Sequence, residues 1–399
     1  MICASPSFSS ATSSPGPRRS ILIHCQYVYG IGHFVRAIEL ARSLSRCFDV
    51  HLVSGGAPVP NYALPDNVRF TQLPAIFKEE ARDRLLPLDN STSLDACLSM
   101  RARMLSDLVR ISPPDILVTE HFPFGLLFET EALELITQVR RAKPGALIVS
   151  SVRDVIESER GSSRDVHICT LLDQYFDLVM VHGDERVVAL RASFPLIDQI
   201  AVPLVYTGYV VAPPVPARPH DGPPLLVGAI GGGRVGQELL SALAAAHHKL
   251  VPYWPHEMLL FRGAFDQNTG FPFAEGDMLR VHTFDRVEYR KVLTEAAGVI
   301  CLGGYNSVLE SLSMSLPTLV YKRTFLGGNR EQALRVELFA ASGLVRSFEE
   351  VDLVADRLAP VLHEHFSTGH VTTTGIDFHG ADNACHILLT ACVSRQPSK

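Results

Sequence analysis

Short apolar runs alternate with stretches of helical periodicity along most of the chain. Residues 21–23 form an uninterrupted apolar run, and after a glycine-containing loop the apolar residues recur at helical spacing from Phe34 to Leu44. A further run at residues 50–53 ends near two glycines. The same rhythm predicts strands at residues 115–119, 146–150 and 178–181 and a helix at residues 129–140. Because the strands are continuously apolar and alternate with helices, the pattern predicts a parallel sheet covered on both faces.

The alternation is interrupted by the proline-rich residues 211–224 and then starts again. Proline fixes φ and removes a backbone donor, so this segment is predicted to be a stiff linker. Beyond the linker, the pattern predicts strands at residues 225–230, 258–261, 299–302 and 318–321, and helices at residues 235–246, 305–312 and 330–341.

The predicted fold is therefore α/β, with two Rossmann-like domains that face a cleft. We assign residues 20–210 to an N-terminal domain and residues 225–399 to a C-terminal domain, whose last helix could pack back on the N-terminal one. Residues 1–19 are rich in serine and proline and are predicted to be a disordered leader, although their composition also permits a targeting peptide. Ligands of such sheets bind beyond the carboxyl ends of the strands, so the glycine-rich loops of both domains should line the cleft.

Charge and cysteine content narrow the classes of function. The net charge of −6, without a strongly basic domain, argues against nucleic-acid binding. The apolar runs are far shorter than the ~20 residues that a membrane span needs, which leaves at most a peripheral contact with the inner face of a membrane. The eight cysteines are scattered without a C-x-x-C pair, which is typical of reduced thiols in a cytoplasmic protein, and no metal site is expected.

The first candidate site lies between the first predicted strand and the first helix. Gly30 and Gly32 permit a tight turn, while Val35 stands where the dinucleotide-binding fingerprint needs a third glycine. His33 follows at the predicted helix N-terminus, where a neutral imidazole facing a cleft would suit a general base; a histidine that only caps the turn is the alternative. Glu120 comes directly after the strand at residues 115–119, where it could orient His33 or simply be a solvated charge.

Glycines also precede two predicted helices of the C-terminal domain, where free backbone N–H groups could hold a diphosphate. The first of these loops lacks the G-K-[ST] of a P-loop. In the second, Asn306 and Glu310 are four residues apart and share a helix face, and a carboxylate there could accept two ribose hydroxyls. Glu331 and Gln332 open the next helix, where Asn329 as N-cap explains them structurally. The glycines concerned are Gly231, Gly232, Gly233, Gly303 and Gly304.

Taken in order, these motifs resemble family 28 glycosyltransferases with the GT-B fold. The group includes the N-acetylglucosaminyltransferase that completes the lipid-linked peptidoglycan precursor. The likeness is greatest to bacterial predicted glycosyltransferases that combine G-x-G-H with an E-x-F-P-F-G stretch, here residues 30–33 and 120–125. It spans roughly residues 20–390, although the N-terminal loop of the family is often richer in glycine than it is here.

The resemblance implies an acceptor-binding N-terminal domain and a donor-binding C-terminal domain. It implies that Glu310 holds the ribose, that Gln332 beside Glu331 reads sugar hydroxyls, and that His33 lies near the acceptor hydroxyl. The expected co-substrate is a UDP-sugar, with no separate cofactor, and the acceptor would be a small molecule, a glycan or a lipid-linked sugar. The residues expected around the diphosphate and the sugar, besides those just named, are Gly231, Gly232, Gly233, Gly303, Gly304, Asn306 and Ser307.

The predicted reaction is transfer of a hexosyl or N-acetylhexosaminyl group, with His33 as base, Glu120 as its orienting carboxylate and inversion at the anomeric carbon. The chain contains no D-x-D motif, so the reaction is expected to be independent of metal. Two alternatives stay open on the same fold. One is a nucleotide-sugar epimerase, which would bring several acidic residues into the cleft, and the other is a non-catalytic partner subunit that binds a nucleotide sugar.

Overall fold

The structure is a computed structural model. It describes residues 18–28, 31–59, 62–79, 84–156, 162–231, 235–263, 276, 278–323, 330–368 and 375–394. Within these residues, two parallel sheets form the centres of two α/β domains, so the predicted fold class is confirmed. Gly30, Gly232 and Gly233 of the candidate site lie outside the described residues.

The N-terminal domain is built on a parallel sheet with helices on both faces. In the described part of the chain this sheet has seven strands, and a separate antiparallel hairpin lies beside it. Its strands are β1 Ser20–Cys25, β2 Asp49–Ser54, β3 Val68–Gln72, β4 Ile76–Glu79, β5 Arg84–Pro87, β6 Ile116–Glu120, β7 Leu147–Arg153, β8 Leu178–His182 and β9 Leu204–Tyr206. Its helices are α1 Gly32–Leu44, α2 Leu94–Ile111, α3 Glu129–Ala142 and α4 Ser163–Tyr175. The order across the main sheet is β3-β2-β1-β6-β7-β8-β9, and β4 pairs with β5.

The C-terminal domain repeats this plan with a six-stranded parallel sheet in the described residues. Its strands are β10 Leu225–Ala229, β11 Glu257–Arg262, β12 Leu279–Thr283, β13 Gly298–Leu302, β14 Thr318–Tyr321 and β15 Arg346–Phe348. Its helices are α5 Gln237–Leu250, α6 Arg286–Leu293, α7 Tyr305–Ser313, α8 Arg330–Ala341, α9 Ala355–Ser367 and α10 Gly380–Ser394. The strand order is β12-β11-β10-β13-β14-β15.

The central strands are buried along their whole length, which is why they read as uninterrupted apolar runs. Every residue of β6, β8 and β10 is buried. Helices cover both faces of each sheet, so a residue pointing to either side meets a core rather than water. The edge strands β12 and β15 are only partly buried and carry charged residues, as strands with one open side can.

The last helix of the chain lies against the N-terminal domain. Ala384 and Leu388 of α10 are fully buried in the same cluster as Ala37 and Ala41 of α1. Near the end of α1, the Ser43 hydroxyl donates to Asp382 at 2.6 Å. The chain therefore crosses between the domains at residues 211–224, which are neither helix nor strand, and again before α10.

Among the described helices, none combines the length and the apolar character needed to cross a membrane.

Candidate active site

The carboxyl ends of neighbouring strands bring together the residues that the N-terminal motif singled out. Glu120 is the last residue of β6 rather than the residue after it, and Arg153 ends β7. His33 is the second residue of α1, which follows β1. Because β1, β6 and β7 are adjacent and parallel, these side chains meet at one edge of the sheet.

His33 and Glu120 form a hydrogen-bonded pair. His33 Nδ1 lies 2.9 Å from Glu120 Oε1. Glu120 is only 4% exposed, and Arg36 donates to the same carboxylate oxygen. With its proton on Nδ1, His33 donates to Glu120 and turns the lone pair of Nε2 toward the domain interface. This is the tautomer that a general base requires.

A polar chain continues behind Glu120 into the N-terminal domain. The Ser151 hydroxyl donates to Glu120 Oε2 at 2.8 Å and lies 2.9 Å from Nε2 of the buried His182. His182 Nδ1 is in turn 2.8 Å from the Thr207 hydroxyl. These contacts fix the orientation of the carboxylate, and with it that of His33.

Helix α8 of the C-terminal domain contacts this edge of the N-terminal sheet. Arg335 forms a buried, two-pronged pair with Asp154, which follows β7, at 2.8 to 3.1 Å. Glu331, one turn earlier on α8, accepts from Arg335 at 2.8 Å and also from Arg153. Arg153 donates as well to His33 Nε2. A continuous ion-pair network, which we call the interdomain network, therefore joins Glu120 and His33 to Glu331 and Asp154.

Tyr305 and Asn306 at the start of α7 also join the two domains. The Tyr305 ring lies between two guanidinium groups, with the Cζ atoms of Arg36 and Arg335 both 5.4 Å from its centroid. Its hydroxyl donates to the His182 carbonyl at 2.8 Å. Asn306 Nδ2 donates to the Gly32 carbonyl at 3.1 Å. The N-terminus of α7 is thus held against the N-terminus of α1.

Three glycines of the predicted diphosphate-binding loops, Gly231, Gly303 and Gly304, are described in the C-terminal domain. A Cβ at Gly303 would come within 2.4 Å of Val336 Cγ2, so glycine lets α8 approach the strand end. Gly304 is the N-cap of α7 and faces open space. Gly231 adopts a left-handed φ of 69°, and a Cβ there would be 3.6 Å from the Ser307 hydroxyl. The loop after β10 therefore borders the N-terminus of α7, although α5 begins at Gln237 rather than at the predicted residue 235.

Glu310 lies one helical turn after Asn306 on α7. It is buried, with Arg286 Nη1 3.5 Å from one carboxylate oxygen and Arg290 Nη1 3.4 Å from the other. Arg286 also reaches Glu39 of α1 at 3.6 Å. Asn306 and Glu310 line the same small cavity, as their shared helix face predicts. The side chain predicted to hold a ribose therefore faces arginines in this structure. Gln332 is half-buried on α8, next to Glu331.

Burial and neighbouring charges shift the pKa values of three side chains in this site, His33, His121 and Glu331. Burial, reinforced by Arg153, His121 and Arg36, holds the pKa of His33 well below its usual value. Burial and Arg153 likewise lower the pKa of His121 to about 3. Burial alone would raise the pKa of Glu331, but Arg153 and Arg335 outweigh it and hold the value at about 2. The histidines are neutral and Glu331 is charged at neutral pH.

Stability should therefore decline below about pH 6.5, the ordinary pKa of histidine. A histidine whose pKa is lowered by folding contributes stability that is present above its unfolded value and is lost as the pH falls toward its folded value. The loss for each such histidine approaches about 1.4 kcal/mol per pH unit. Urea unfolding between pH 7.5 and 4.5 measures it. His121→Asn keeps a residue type that tolerates the left-handed φ of 69° and should flatten the profile, whereas an unchanged profile would contradict the assignment.

Sequence reasoning did not identify the arginines of this site. Arg36, Arg153 and Arg335 were overlooked, as were Asp154 and Tyr305. Arg153 and Asp154 stand directly after an apolar run, which is the position that drew attention to Glu120, and Arg335 follows Glu331 by one helical turn. In the described residues, no three His, Cys, Asp or Glu side chains are grouped as metal ligands would be.

Comparison with known proteins extends this picture at the level of the fold. No protein-family model and no curated protein sequence matches the chain. The chain does resemble solved structures over nearly its whole length. One, assigned as a UDP-N-acetylglucosamine 2-epimerase from Listeria monocytogenes, has a TM-score of 0.61 and 10% identity, with 96% of this chain and 99% of that chain covered.

Two further solved structures are similar. Arabidopsis thaliana UGT89C1 in complex with UDP-L-rhamnose has a TM-score of 0.58 and 14% identity, with 94% of this chain and 95% of that chain covered. Acinetobacter baumannii MurG has a TM-score of 0.53 and 13% identity, with 95% of this chain and all of that chain covered. These similarities, together with the two facing Rossmann-like domains, establish that the chain has the GT-B fold.

Proposed function

We propose that the protein transfers a hexosyl or N-acetylhexosaminyl group from a UDP-sugar to an acceptor hydroxyl, with inversion and without a metal ion. The observation that carries the proposal is the His33–Glu120 pair, 2.9 Å apart, at the domain interface opposite Glu331. The nucleotide sugar bound to the similar UGT89C1 supports a UDP-sugar as donor. The motifs of the chain support a place among family 28-like transferases.

In this mechanism the acceptor binds on the N-terminal side, beside Gly32 at the start of α1. Its hydroxyl has a pKa far above 7, so it needs a base as it attacks the anomeric carbon. His33 Nε2 takes the proton, and Glu120 stabilises the imidazolium through Nδ1. General-base assistance of this kind contributes about 10²–10⁴-fold to the rate.

The leaving diphosphate gains charge in the same step. We assign its stabilisation to the N-terminus of α7, where Gly303 and Ser307 would provide backbone and hydroxyl donors. Gly304 would contribute once its N–H leaves the Leu302 carbonyl, to which it donates at 2.8 Å. The loop at Gly231 borders this helix start, and Gly232 and Gly233, which the sequence also assigns to the cradle, lie outside the described residues. Gln332 and Glu331 would read the hydroxyls of the sugar, and Glu310 those of the ribose.

A panel of nucleotide sugars tests the proposal directly. A donor present at 100 times its Kd should stabilise the folded protein by about 2.7 kcal/mol, seen as a rise in Tm. The donor that stabilises most is then incubated with candidate acceptors, and release of UDP is followed. No stabilisation by any nucleotide sugar would contradict the proposal.

Glu310→Gln should weaken donor binding by about 1.5–3 kcal/mol, because one charge-assisted hydrogen bond to the ribose is lost. Calorimetry of UDP binding to the wild type and the variant measures the effect. Glu337→Gln, at an exposed position on α8, serves as the matched control. Equal affinity of Glu310→Gln and the wild type would show that Glu310 serves its arginines, Arg286 and Arg290, rather than a ribose.

Epimerisation of a nucleotide sugar is the second candidate, and one observation favours it. Three carboxylates, Glu120, Asp154 and Glu331, belong to the interdomain network of the described residues, and the similar Listeria protein is assigned to this activity. Each of them is paired with an arginine, which makes it a weak proton donor or acceptor. Incubating UDP-N-acetylglucosamine without an acceptor distinguishes the two, since only an epimerase would change the sugar.

A further inference from the structure

Arg153 is hydrogen-bonded to Nε2 of His33, the atom that must accept the proton if His33 is the base. Its Nη2 donates to His33 Nε2, and its Nη1 donates to Glu331 on the opposite domain. The Arg153 side chain is 14% exposed. Its Nε–H has no hydrogen-bond partner among the residues that the structure describes. The guanidinium therefore caps the base, with one of its own donors still unsatisfied.

This cap has to be removed before His33 can act. The single lone pair of Nε2 cannot accept from Arg153 and from an acceptor hydroxyl at the same time. A general base also has to lie within about 2.6–3.2 Å of the proton that it removes. Arg153 must therefore swing away from His33 during the reaction. A buried guanidinium that gives up a partner is costly unless another acceptor, preferably an anion, receives it.

The neighbouring carboxylates are already committed to other arginines. Glu120 is held by Arg36, and Asp154 by Arg335. Glu331 keeps Arg335 at 2.8 Å even if Arg153 leaves it. Each of these three carboxylates would therefore keep an arginine contact without Arg153. A new partner for the guanidinium has to arrive with the substrate.

We propose that Arg153 binds an anionic oxygen group of the bound substrate, and that this movement uncovers His33 Nε2. The inference rests on the proposed transferase function and adds the substrate chemistry. The group is either a phosphate of the nucleotide or a carboxylate on the donor sugar. Arg153 is then an anion-binding residue that keeps the base capped until an acidic substrate is in place.

The movement also changes the charges that His33 faces. Arg36 lies on its own helix, Glu120 and His121 come from the end of β6, Arg153 from β7 and Glu331 from α8. When Arg153 moves to an anion, its charge no longer lies against the imidazole. The proton that leaves the acceptor oxygen for Nε2 then forms an imidazolium held by Glu120, without repulsion from the Arg153 guanidinium.

Calorimetry on the full chain with uridine, UDP, UDP-glucose and UDP-glucuronate tests the proposal. Arg153→Gln should bind uridine as the wild type does. A loss of at least about tenfold in UDP affinity identifies a phosphate as the anion. A tenfold loss confined to UDP-glucuronate identifies a carboxylate. Arg140→Gln, which removes an arginine paired with Asp177 elsewhere in the domain, is the matched control and should bind all four as the wild type does.

Histidine-ring NMR gives a readout that a purely structural role of Arg153 would not change. The His33 signal is assigned by comparison with His33→Ala. The ligand that depends on Arg153 should raise the pKa of His33 in the wild type, whereas in Arg153→Gln the pKa should already be raised without ligand and should not respond further. Arg153→Lys retains the cation and should restore part of the affinity, which keeps the test valid if Arg153→Gln folds poorly.

The outcomes separate this inference from the proposed function. If the wild type binds none of the nucleotides, both are overturned. If the wild type binds UDP or a UDP-sugar, and Arg153→Gln and Arg153→Lys bind all four ligands equally well with an unchanged His33 response, only the role of Arg153 is overturned.

Discussion

His33→Ala is expected to lower kcat about 100-fold or more while the affinity for the nucleotide sugar stays nearly unchanged. The imidazole would take the acceptor proton only in the transition state, and the proposed diphosphate contacts at the start of α7 lie on the C-terminal domain. Steady-state kinetics with the donor identified by the nucleotide-sugar panel, combined with calorimetry of UDP, measures both quantities. His167→Ala removes a half-exposed histidine that pairs with Glu129 in the same domain, and it should retain wild-type kinetics.

Glu120→Gln should cost less than His33→Ala, because an amide can still accept from Nδ1 but does not stabilise the imidazolium. The double variant should be far from additive, since the two residues act as one unit. If His33→Ala bound the donor weakly but kept its kcat, that result would contradict the role of His33 as general base. The loop at His33 would then be a phosphate contact.

Asp154→Asn is expected to destabilise the protein by about 3–5 kcal/mol. Asp154 is fully buried and accepts from two nitrogens of Arg335, so its loss leaves a buried guanidinium with Glu331 as its remaining carboxylate. Asparagine keeps the shape of the side chain and removes its charge. Urea unfolding at pH 7.5, with separate probes for the two domains because the chain has more than one, measures the change.

An exposed ion pair in the same domain provides the matched comparison. Asp198 is 74% exposed and pairs with Arg191, so Asp198→Asn should change stability by less than about 1 kcal/mol. If Asp154→Asn were no more destabilising than Asp198→Asn, the interdomain network would not be what holds α8 against the end of β7.

Much of the fold was predictable because continuous burial leaves a plain signal in the sequence. The predicted strand at residues 318–321 coincides with β14, and the predicted helix at residues 330–341 coincides with α8. The strand at residues 146–150 extends in the structure to Arg153, because the chain continues in the sheet beyond its last apolar run. Arg153, which the sequence analysis left in a loop, is therefore the last residue of β7 and lies at the edge of the candidate site.

Elements that bury only part of their surface escaped prediction. Helix α2, Leu94–Ile111, buries four residues over eighteen, and α4 likewise carries charged residues on an open face. Strands β3, β12 and β15 lie at or near sheet edges and have mixed burial patterns. One face of each of these elements packs against a neighbouring element and the other faces water. No continuous apolar run in the sequence therefore marks them.

By itself, the sequence determined the α/β fold class, and it predicted the linker and the motif that contains His33 and Glu120, because each depends on local periodicity or on residues at strand ends. Only the tertiary structure decided that α10 packs on α1 and that Arg36, Arg153 and Arg335 converge on one site. These arginines come from α1, β7 and α8, and Arg36 and Arg335 are separated by about three hundred positions in the chain. Ion pairs between such distant residues have no spacing rule, since they exist only once both domains have folded and met.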